Sequence, residues 1–496
     1  MKKVLLLSIF ILTIITHYSQ STDFIDLDRI FNPRSTRCLG SIDSLAIWHD
    51  NKVNDLVILN LQTKKLYTSN HISAMIKSNF SEAPSFHIQS QDKKIISLNF
   101  SQENKKTWKK GKFSILIGMF NAPNFELSNT KTINLDCNFN IERAFSFKSR
   151  NSNYFLIKLD GTDFNSNLKR SRLFLYNKDF EIIHQIDNDE MHIELGHAML
   201  LDDKGSIISV NGWKNIIHIY DSQNNWKLKT EKIDFNTGNA EHPTCVLKYI
   251  NLYYDNNNDL IIIGQRLLTK TDKKGRLEAG PVSRDLLYLK ININNYEILD
   301  YQNPSLPHTE DSQAIFNLHP LSDGGFVYIS QKFESYVDHI NNNGQVYIFG
   351  EINIIKFGQD FTIDWSDEIP VKIKRTYDGF QHIVPYVGFK SYINNGKINI
   401  WFNGASEPNI TILDRTAMNL WYMTYDLNTG EYIMNDIYQT TNQAKVDKIT
   451  YTPKYFQFFS DVNKLVMIGG KPIKSQYHQT IKNTKIKVID SSDSFK

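Results

Sequence analysis

The chain has 496 residues, of which 12% are aromatic, and a formal net charge of +3 at pH 7. This near-balance of charge does not indicate a nucleic-acid partner, because proteins that bind nucleic acid carry a marked excess of positive charge. Cys38, Cys137 and Cys245 are odd in number and widely spaced, so they form neither a disulfide framework nor a zinc motif. We expect buried thiols, with one disulfide and a leftover thiol as the alternative.

The N-terminus has the pattern of a signal peptide. Met1-Lys2-Lys3 precedes an apolar run from Val4 to Ile15, which is too short to span a bilayer comfortably. No cysteine follows it for a lipid anchor, and no second apolar run is long enough for a transmembrane helix. We therefore predict a signal peptide over residues 1–20, cleaved near Ser19 or Gln20, and export to the periplasm or the extracellular space.

Eight short apolar runs recur along the remaining chain and indicate β-strands. They are rich in β-branched and aromatic residues, which suit a pleated, half-buried surface. They begin about 50 to 70 residues apart, a spacing typical of propellers and other repeat arrays. The runs are Leu45–Trp48, Lys94–Phe100, Tyr154–Leu159, Ser206–Val210, Leu260–Gly264, Phe326–Ser330, Ile398–Phe402 and Leu465–Gly469.

Residues 319–370 show the whole repeating unit. Ser322-Asp323-Gly324-Gly325 is a tight-turn signal that joins Phe326–Ile329 to the apolar residues upstream. Ile352–Phe357 is the next strand, and Phe361–Trp365 alternates apolar and polar residues as a strand with one buried face does. The unit therefore predicts a hairpin followed by two further strands.

Repetition of such a unit predicts a β-propeller. A small sheet with two apolar faces cannot bury both by itself, whereas radial stacking covers both and leaves only short edges. We predict an all-β fold, a β-propeller with seven or eight four-stranded blades that forms a single domain over residues 21–496, with a pair of β-sandwiches as the alternative. The first unit lacks a clear innermost strand. The ring is expected to close by pairing either residues 23–28 or residues 36–39 with residues 485–489.

Connection lengths predict which face of the ring is functional. If the strands are numbered one to four from the axis, the one-to-two turns are uniformly short and share one face. The two-to-three loops and four-to-one crossovers share the other, because successive strands are antiparallel. The segments 269–284, 333–346 and 403–419 are long two-to-three connections on that second face, and we expect irregular binding loops there.

Four histidines precede or begin innermost strands in consecutive units. If the blades are placed correctly, these imidazoles point toward the mouth of the axial channel, where they would bind a ligand or supply a base and an acid. Unrelated strand-entry or solvated histidines are the alternative. The spacing is not a metal motif, so we predict neither a metal nor a cofactor. The residues are His197, His242, His308 and His382.

Other local patterns give weaker evidence about function. The basic loop Glu103–Lys112 contains one Trp and suits either an anionic surface or a solvated hairpin tip. Trp213, Trp401 and Trp421 suit either sugar platforms or blade cores. Residues 255–259 are acidic, but they lack the Gly and terminal Glu of a calcium loop, so a turn is the better interpretation.

The turn-and-strand pattern also resembles a known group. Ser322–Ile329, Ile354-Ile355-Lys356-Phe357 and Ile363–Pro370 resemble the Asp-Gly-Gly hairpin, Ile-x-Lys-Phe strand and Trp-x-x-x-Ile-Pro segment of exported bacterial β-propeller proteins of unknown function. The resemblance covers residues 190–470, and residues 389–403 continue it. It implies the fold and export, but it brings no catalytic residues.

Two functions from different classes remain open. The first is a monomeric, non-enzymatic binding or scaffold propeller that holds a protein or glycan on the long-loop face. The second is a propeller-type polysaccharide lyase or hydrolase that uses the channel-mouth histidines, with Arg266, Arg284 or Arg375 as the basic group that neutralises a uronate. Whether the protein is an enzyme is left open by the sequence.

Overall fold

In the computed structural model the described residues form a ring of eight four-stranded antiparallel sheets. The structure describes residues 25–26, 36–50, 55–69, 85–89, 92–100, 110–187, 197–233, 244–255, 257–271, 277–307, 315–338, 344–377, 388–404, 419–438, 450–451, 456–472 and 481–490. Residues 1–24 lie outside these ranges, so the signal peptide stays a prediction.

Strands are numbered in chain order, and each sheet is one blade. The first half of the ring contains β1 Ile25–Asp26, β2 Thr36–Ile42, β3 Leu45–Asp50, β4 Asp55–Asn60, β5 Leu66–Ser69, β6 Ser85–Gln89, β7 Lys94–Phe100, β8 Lys112–Asn121, β9 Glu126–Asp136, β10 Phe139–Lys148, β11 Tyr154–Asp163, β12 Lys169–Asn177, β13 Ile182–Asp187, β14 His197–Leu201, β15 Ile207–Asn211, β16 Ile216–Asp221 and β17 Lys227–Lys232. The second half contains β18 Thr244–Tyr254, β19 Leu260–Thr271, β20 Leu277–Ile291, β21 Ile298–Gln302, β22 Ile315–Pro320, β23 Phe326–Asp338, β24 Gly344–Phe357, β25 Ile363–Ile369, β26 Ile373–Tyr377, β27 Phe389–Asn394, β28 Lys397–Gly404, β29 Asn419–Asp426, β30 Tyr432–Tyr438, β31 Thr450–Tyr451, β32 Gln457–Phe459, β33 Lys464–Pro472 and β34 Ile481–Asp490.

Blades 1 to 7 each use four consecutive strands, from β2–β5 to β27–β30, and blade 6 carries the additional β26 beside β24. All eight predicted runs are second strands of their blades, which confirms the repeat. Blade 1 is complete, because Thr36–Ile42 supplies the innermost strand that the sequence pattern did not reveal.

The ring closes by joining the two ends of the chain. β1 forms the outermost strand of blade 8, with Ile25 opposite Ile486 and Asp26 opposite Lys485. The first of the two predicted closures is therefore confirmed. The innermost position of blade 8 is shared by β31 and β32, which pair with β33 at Tyr451–Gly469 and at Gln457–Val466.

The core lies between the blades because each sheet has two apolar faces. In β11, Phe155, Ile157 and Leu159 pack against blade 2, whereas Leu156 packs against blade 4. A strand that alternates between two buried faces reads as a continuous apolar run. Each of the eight interfaces between neighbouring blades contains its own buried apolar cluster, so the ring has no open side.

The predicted turn before Phe326 forms as expected. Leu321 N–H donates to the Gly325 carbonyl at 2.9 Å, and the Asp323 carboxylate accepts the Gly325 N–H at 3.0 Å. Gly324 has a φ of +95°, a conformation that L side chains rarely adopt. A Cβ on Gly325 would lie 2.3 Å from the Phe357 carbonyl oxygen, so both glycines are needed for this approach of the two strands.

Candidate functional site

The face that carries the one-to-two turns is tied together by polar contacts between neighbouring blades. Lys93 Nζ lies 2.8 Å from Asp43 Oδ2 and joins the turns of blades 1 and 2. Arg150 contacts Asp203 at 3.1 Å and Asn258 at 3.0 Å, which links the turns of blades 3, 4 and 5. The short turns of neighbouring blades are therefore cross-linked on this face.

The opposite, long-loop face carries two projections that the sequence interpretation described wrongly. Residues 269–284 and 333–346 were expected to be irregular loops, but most of them continue the strands of their blades. We define the blade 5 arm as residues 267–271 with 277–282, and the blade 6 arm as residues 333–338 with 344–349. Each arm begins after a break in the strand register, near residues 265–267 and 331–333, where a bulge re-aims a strand. Residues 405–418 of the third predicted loop lie outside the described ranges.

Packing explains why the blade 6 arm is a sheet. Phe349 and Val346 are fully buried, and Phe349 packs in the cluster that contains Phe402 of blade 7. β26 adds a further strand beside it, with Ile373 opposite Phe349. The same arm exposes Tyr336, at 44%, and its neighbour Val337. The arm is therefore a rigid extension of the core that presents apolar side chains to solvent.

Of the four predicted channel-mouth histidines, the structure describes the backbone of His197 alone. His197 begins β14, the innermost strand of blade 4, with its backbone opposite Asn211. His242, His308 and His382 lie outside the described residues, so their convergence stays a prediction. Of the three proposed arginines, Arg266 is buried and contacts Asp285 at 3.5 Å and Asn303 at 3.4 Å. The backbones of the other two lie in β20 and β26.

Two other histidines on innermost strands do form contacts, and sequence reasoning missed them. His319 Nε2 lies 2.8 Å from Ser391 Oγ, and Asn317 Nδ2 donates to the same oxygen at 3.0 Å. His87 Nε2 lies 2.9 Å from Ser146 Oγ. Each contact joins the innermost strands of neighbouring blades, 6 to 7 and 2 to 3, on opposite sides of an eight-blade ring. The alternation of Asn317 and His319 with apolar residues was the available signal.

Burial and a nearby positive charge determine the protonation state of His319. Its pKa is lowered to about 4, first by burial and then by the positive charge of Lys390. The neutral imidazole at pH 7 is free to accept the Ser391 hydroxyl proton. A serine beside a neutral imidazole resembles a nucleophile and its base, but Ser391 is only 4% exposed and its oxygen already accepts from Asn317. The contact therefore functions as an inter-blade link.

Lys390, next to Ser391 in β27, and Cys38 of blade 1 affect each other's pKa. Burial lowers the pKa of Lys390, and the Cys38 thiol opposes this effect. Burial raises the pKa of Cys38 to about 11, against the effects of the Gly40 backbone and of Lys390. The thiol is therefore protonated and uncharged at pH 7. Within the described ranges, no carboxylate neutralises the Lys390 ammonium.

The remaining predicted features are structural. Cys137 and Cys245 are buried thiols and Cys38 is half-buried, with no disulfide among them. Asp255 accepts the N–H groups of Asn257 and Asp259 and binds Lys290 at 2.7 Å, so this acidic run is a turn, as predicted. Trp401 is fully buried in the interface with blade 8, and this excludes it as a sugar platform.

Within the described ranges, no three His, Cys, Asp or Glu side chains lie close enough to hold a metal ion. The described residues also include no helix of membrane-spanning length and hydropathy. The basic loop Glu103–Lys112 lies mostly outside these ranges.

Comparisons with known proteins give only weak similarities. No protein-family model and no curated protein matches the chain. Among solved structures, the WD40 domain of SCAP from fission yeast is 9% identical with a TM-score of 0.41, covering 95% of this chain and 99% of its own. The Dos1 propeller is 8% identical with a TM-score of 0.34, covering 92% and 93%. A protein of unknown function from Bacteroides caccae is 10% identical with a TM-score of 0.28, covering 63% and 89%. These low similarities carry no argument about fold or function, and the assignment as an eight-bladed β-propeller rests on the strand pairing of the chain itself.

Proposed function

We propose that this chain is an exported, non-enzymatic β-propeller that binds a protein partner on its long-loop face. One observation carries the proposal, namely that the blade 6 arm exposes Tyr336 and Val337 on a scaffold fixed by the buried Phe349. A rigid element with exposed aromatic and aliphatic side chains suits protein recognition, because little conformational entropy is lost on binding. The resemblance to exported bacterial propellers supports the proposal of export.

A photo-crosslinking amino acid at position 336 tests the binding face. Ile182 provides a matched control, because it is 53% exposed on the outermost strand of blade 3. We expect crosslinks to a defined exported protein from position 336 and none from position 182. Substituting Val337→Ser should reduce the crosslinked fraction several-fold.

A glycan array with the purified protein separates the alternative ligand class. Binding to glycans that is lost in Tyr336→Ser, together with no protein crosslink, would replace the protein partner by a carbohydrate. Equal crosslinking from positions 336 and 182 would contradict a role for the arm.

Export is tested by fractionation of the native host. We expect the mature protein outside the cytoplasm, with an N-terminus near Ser19 or Gln20. An intact Met1 on protein recovered from the cytoplasm would contradict export without affecting the binding-face experiment.

A further inference from the structure

The interfaces between neighbouring blades are of two kinds, which alternate around the ring. Among the described residues, the four clusters with the most buried apolar side chains lie between blades 2 and 3, 4 and 5, 6 and 7, and 8 and 1. The smaller clusters lie between blades 1 and 2, 3 and 4, 5 and 6, and 7 and 8. We call two blades joined by a larger cluster a double blade, and the interface between two double blades a seam.

The second strands place buried polar side chains in the long-loop half of every seam. In β7, Leu98 faces blade 3, whereas its neighbours Ser97 and Asn99 face blade 1, because successive residues of a strand point to opposite sides of the sheet. The same alternation applies to the second strands of the other blades. Buried polar residues that face a seam near the long-loop end include His49, Asn99, Asp160, Asn211, Gln265 and Asn403.

Some of these polar groups are satisfied inside their own blade. The Asn99 amide donates to Ser97 Oγ at 2.9 Å, and both residues belong to blade 2. The Tyr422 hydroxyl donates to Asn399 Oδ1 within blade 7. A seam can therefore open without breaking these bonds, and water can solvate the side chains that the opening uncovers.

Polar contacts cross the larger interfaces, in contrast. The two His–Ser contacts between innermost strands, described above, both lie inside double blades. Between blades 4 and 5, the Asn215 amide donates to the Cys245 carbonyl at 2.8 Å on the long-loop face. Tyr296 donates to Asp202 at 2.8 Å near the opposite face. This double blade is therefore tied at both ends.

The seams are tied on the turn face, which is the face that carries the one-to-two turns. The Asn151 N–H donates to the Asp203 carboxylate at 2.7 Å across the seam between blades 3 and 4. Across the seam between blades 5 and 6, the rings of Tyr288 and Phe361 lie 4.2 Å apart. In three seams the apolar second-strand residues follow directly after the one-to-two turn. These seams are therefore held at the turn face and lined by polar groups at the long-loop face.

We propose that the ring flexes as four double blades, which hinge on the turn face and open the seams on the long-loop face. The apolar clusters near the turns stay packed, while polar side chains at the other end become hydrated at little cost. The clasp formed by β1 lies within a double blade, so the ring stays closed. The blade 5 and blade 6 arms lie on opposite sides of one seam, and the hinge therefore changes their separation. This motion does not depend on what the blade 6 arm binds.

Buried thiols introduced on one strand measure the opening of a seam. Ser209→Cys faces blade 3 across a seam, whereas Val210→Cys faces blade 5 inside a double blade, and both wild-type side chains are buried. Cysteine is close to both in size. With iodoacetamide and the native protein, we expect the Ser209→Cys thiol to react at least about tenfold faster, because seams open without global unfolding. Ser330→Cys and Val327→Cys form the equivalent pair in blade 6.

The controls separate opening from reactivity and from stability. Rates in urea-unfolded protein give the intrinsic reactivity of each thiol, and urea unfolding curves correct for any difference in global stability. Mass spectrometry assigns each modified site and separates it from the native cysteines. Equal corrected rates within each pair would overturn the proposal, and so would faster labelling of the positions inside double blades.

Spin labels test the direction of the hinge at the seam between blades 5 and 6. Lys270→Cys and Glu334→Cys place labels on the two arms, and Asn257→Cys and Ser322→Cys place them on the turns of the same blades. All four positions are exposed. Double electron–electron resonance should give a broad distance distribution between the arms and a narrow one between the turns.

A third pair of labels shows whether the arm itself is flexible. Lys214→Cys on the long-loop face of blade 4 and Lys270→Cys lie within one double blade, and both positions are exposed. Their distance distribution should be narrow. A distribution as broad as that between the two arms would assign the motion to the blade 5 arm and overturn the hinge, as would a narrow distribution between the arms.

Discussion

Buried polar residues show what individual side chains do inside the ring. Lys158 and Asp160 are completely buried on β11 and form an ion pair on the face toward blade 4. Ser171 donates to the same carboxylate at 2.7 Å, and Phe145 lies 5.5 Å from the Lys158 ammonium. Because these partners satisfy both charges, the pair can be kept within an apolar interface.

Removing one member of this pair should lower the free energy of unfolding much more than removing both. Asp160→Asn or Lys158→Met leaves one buried group without its partner, and each should lower the free energy of unfolding by about 3–5 kcal/mol. The double variant Lys158→Met/Asp160→Leu should cost less than either single change. Urea denaturation of the three variants measures this, and additive losses would contradict the coupling.

His319 should make stability depend on pH. Its folded pKa of about 4 lies below the ordinary value of 6.5, so the unfolded chain binds a proton in this range that the folded chain does not. The contribution of His319 to stability is complete above about pH 6.5 and is lost as the pH falls toward 4. At pH 5 the loss relative to pH 7 should be about 2 kcal/mol.

Chemical denaturation at pH 7 and pH 5 isolates this effect when the wild type is compared with His319→Gln. The variant should lack this part of the acid loss. Identical losses in both proteins would show that other groups control the acid sensitivity.

At the scale of the strand, the length of a strand depends on which side chains from neighbouring strands pack against it. The blade 6 arm persists beyond the blade because Phe349 packs against Phe333, with ring centroids 4.9 Å apart, and against blade 7. The sequence suggested an irregular loop over residues 333–346. Packing from residues distant in sequence overrides such local composition.

Two substitutions in the same arm should therefore differ greatly. Phe349→Ala removes a fully buried side chain and should lower the free energy of unfolding by about 3–5 kcal/mol. Tyr336→Ala, at an exposed position of the same arm, should change it by less than about 0.5 kcal/mol. Thermal and urea unfolding compare the two, and similar effects would show that the arm is not part of the core.

At the scale of the whole molecule, the ring depends on a short clasp. Among the described residues, the clasp consists of Ile25 and Asp26 of β1, which pair with Ile486 and Lys485 of β34. Closure by strands from both termini converts eight sequential units into one cooperative body.

A disulfide across the clasp should stabilise the ring. Directly paired strand residues have the separation that a disulfide needs, so Ile25→Cys/Ile486→Cys should oxidise readily. It closes a very long loop, and the free energy of unfolding should rise by up to about 5 kcal/mol. The reduced double variant is the control. A failure to oxidise, or equal stability in both redox states, would contradict the clasp.

The sequence by itself determined the repeating architecture. Period-two patterning, β-branched runs and tight turns such as Ser322–Gly325 act over a few residues, so they located all eight second strands and the closing segment. Seven against eight blades stayed open because the inner strand Thr36–Ile42 has a weak local pattern. The alternation of Asn317 and His319 with apolar residues is visible in the sequence, but the sequence does not show which residues these side chains contact.

Only the tertiary structure decided which polar groups meet. Ser391 lies 72 positions after its partner His319. Such contacts are set by the angle and spacing at which blades stack, which no local pattern encodes. The same holds for the blade 6 arm, where Phe349 packs in the cluster shared with blade 7.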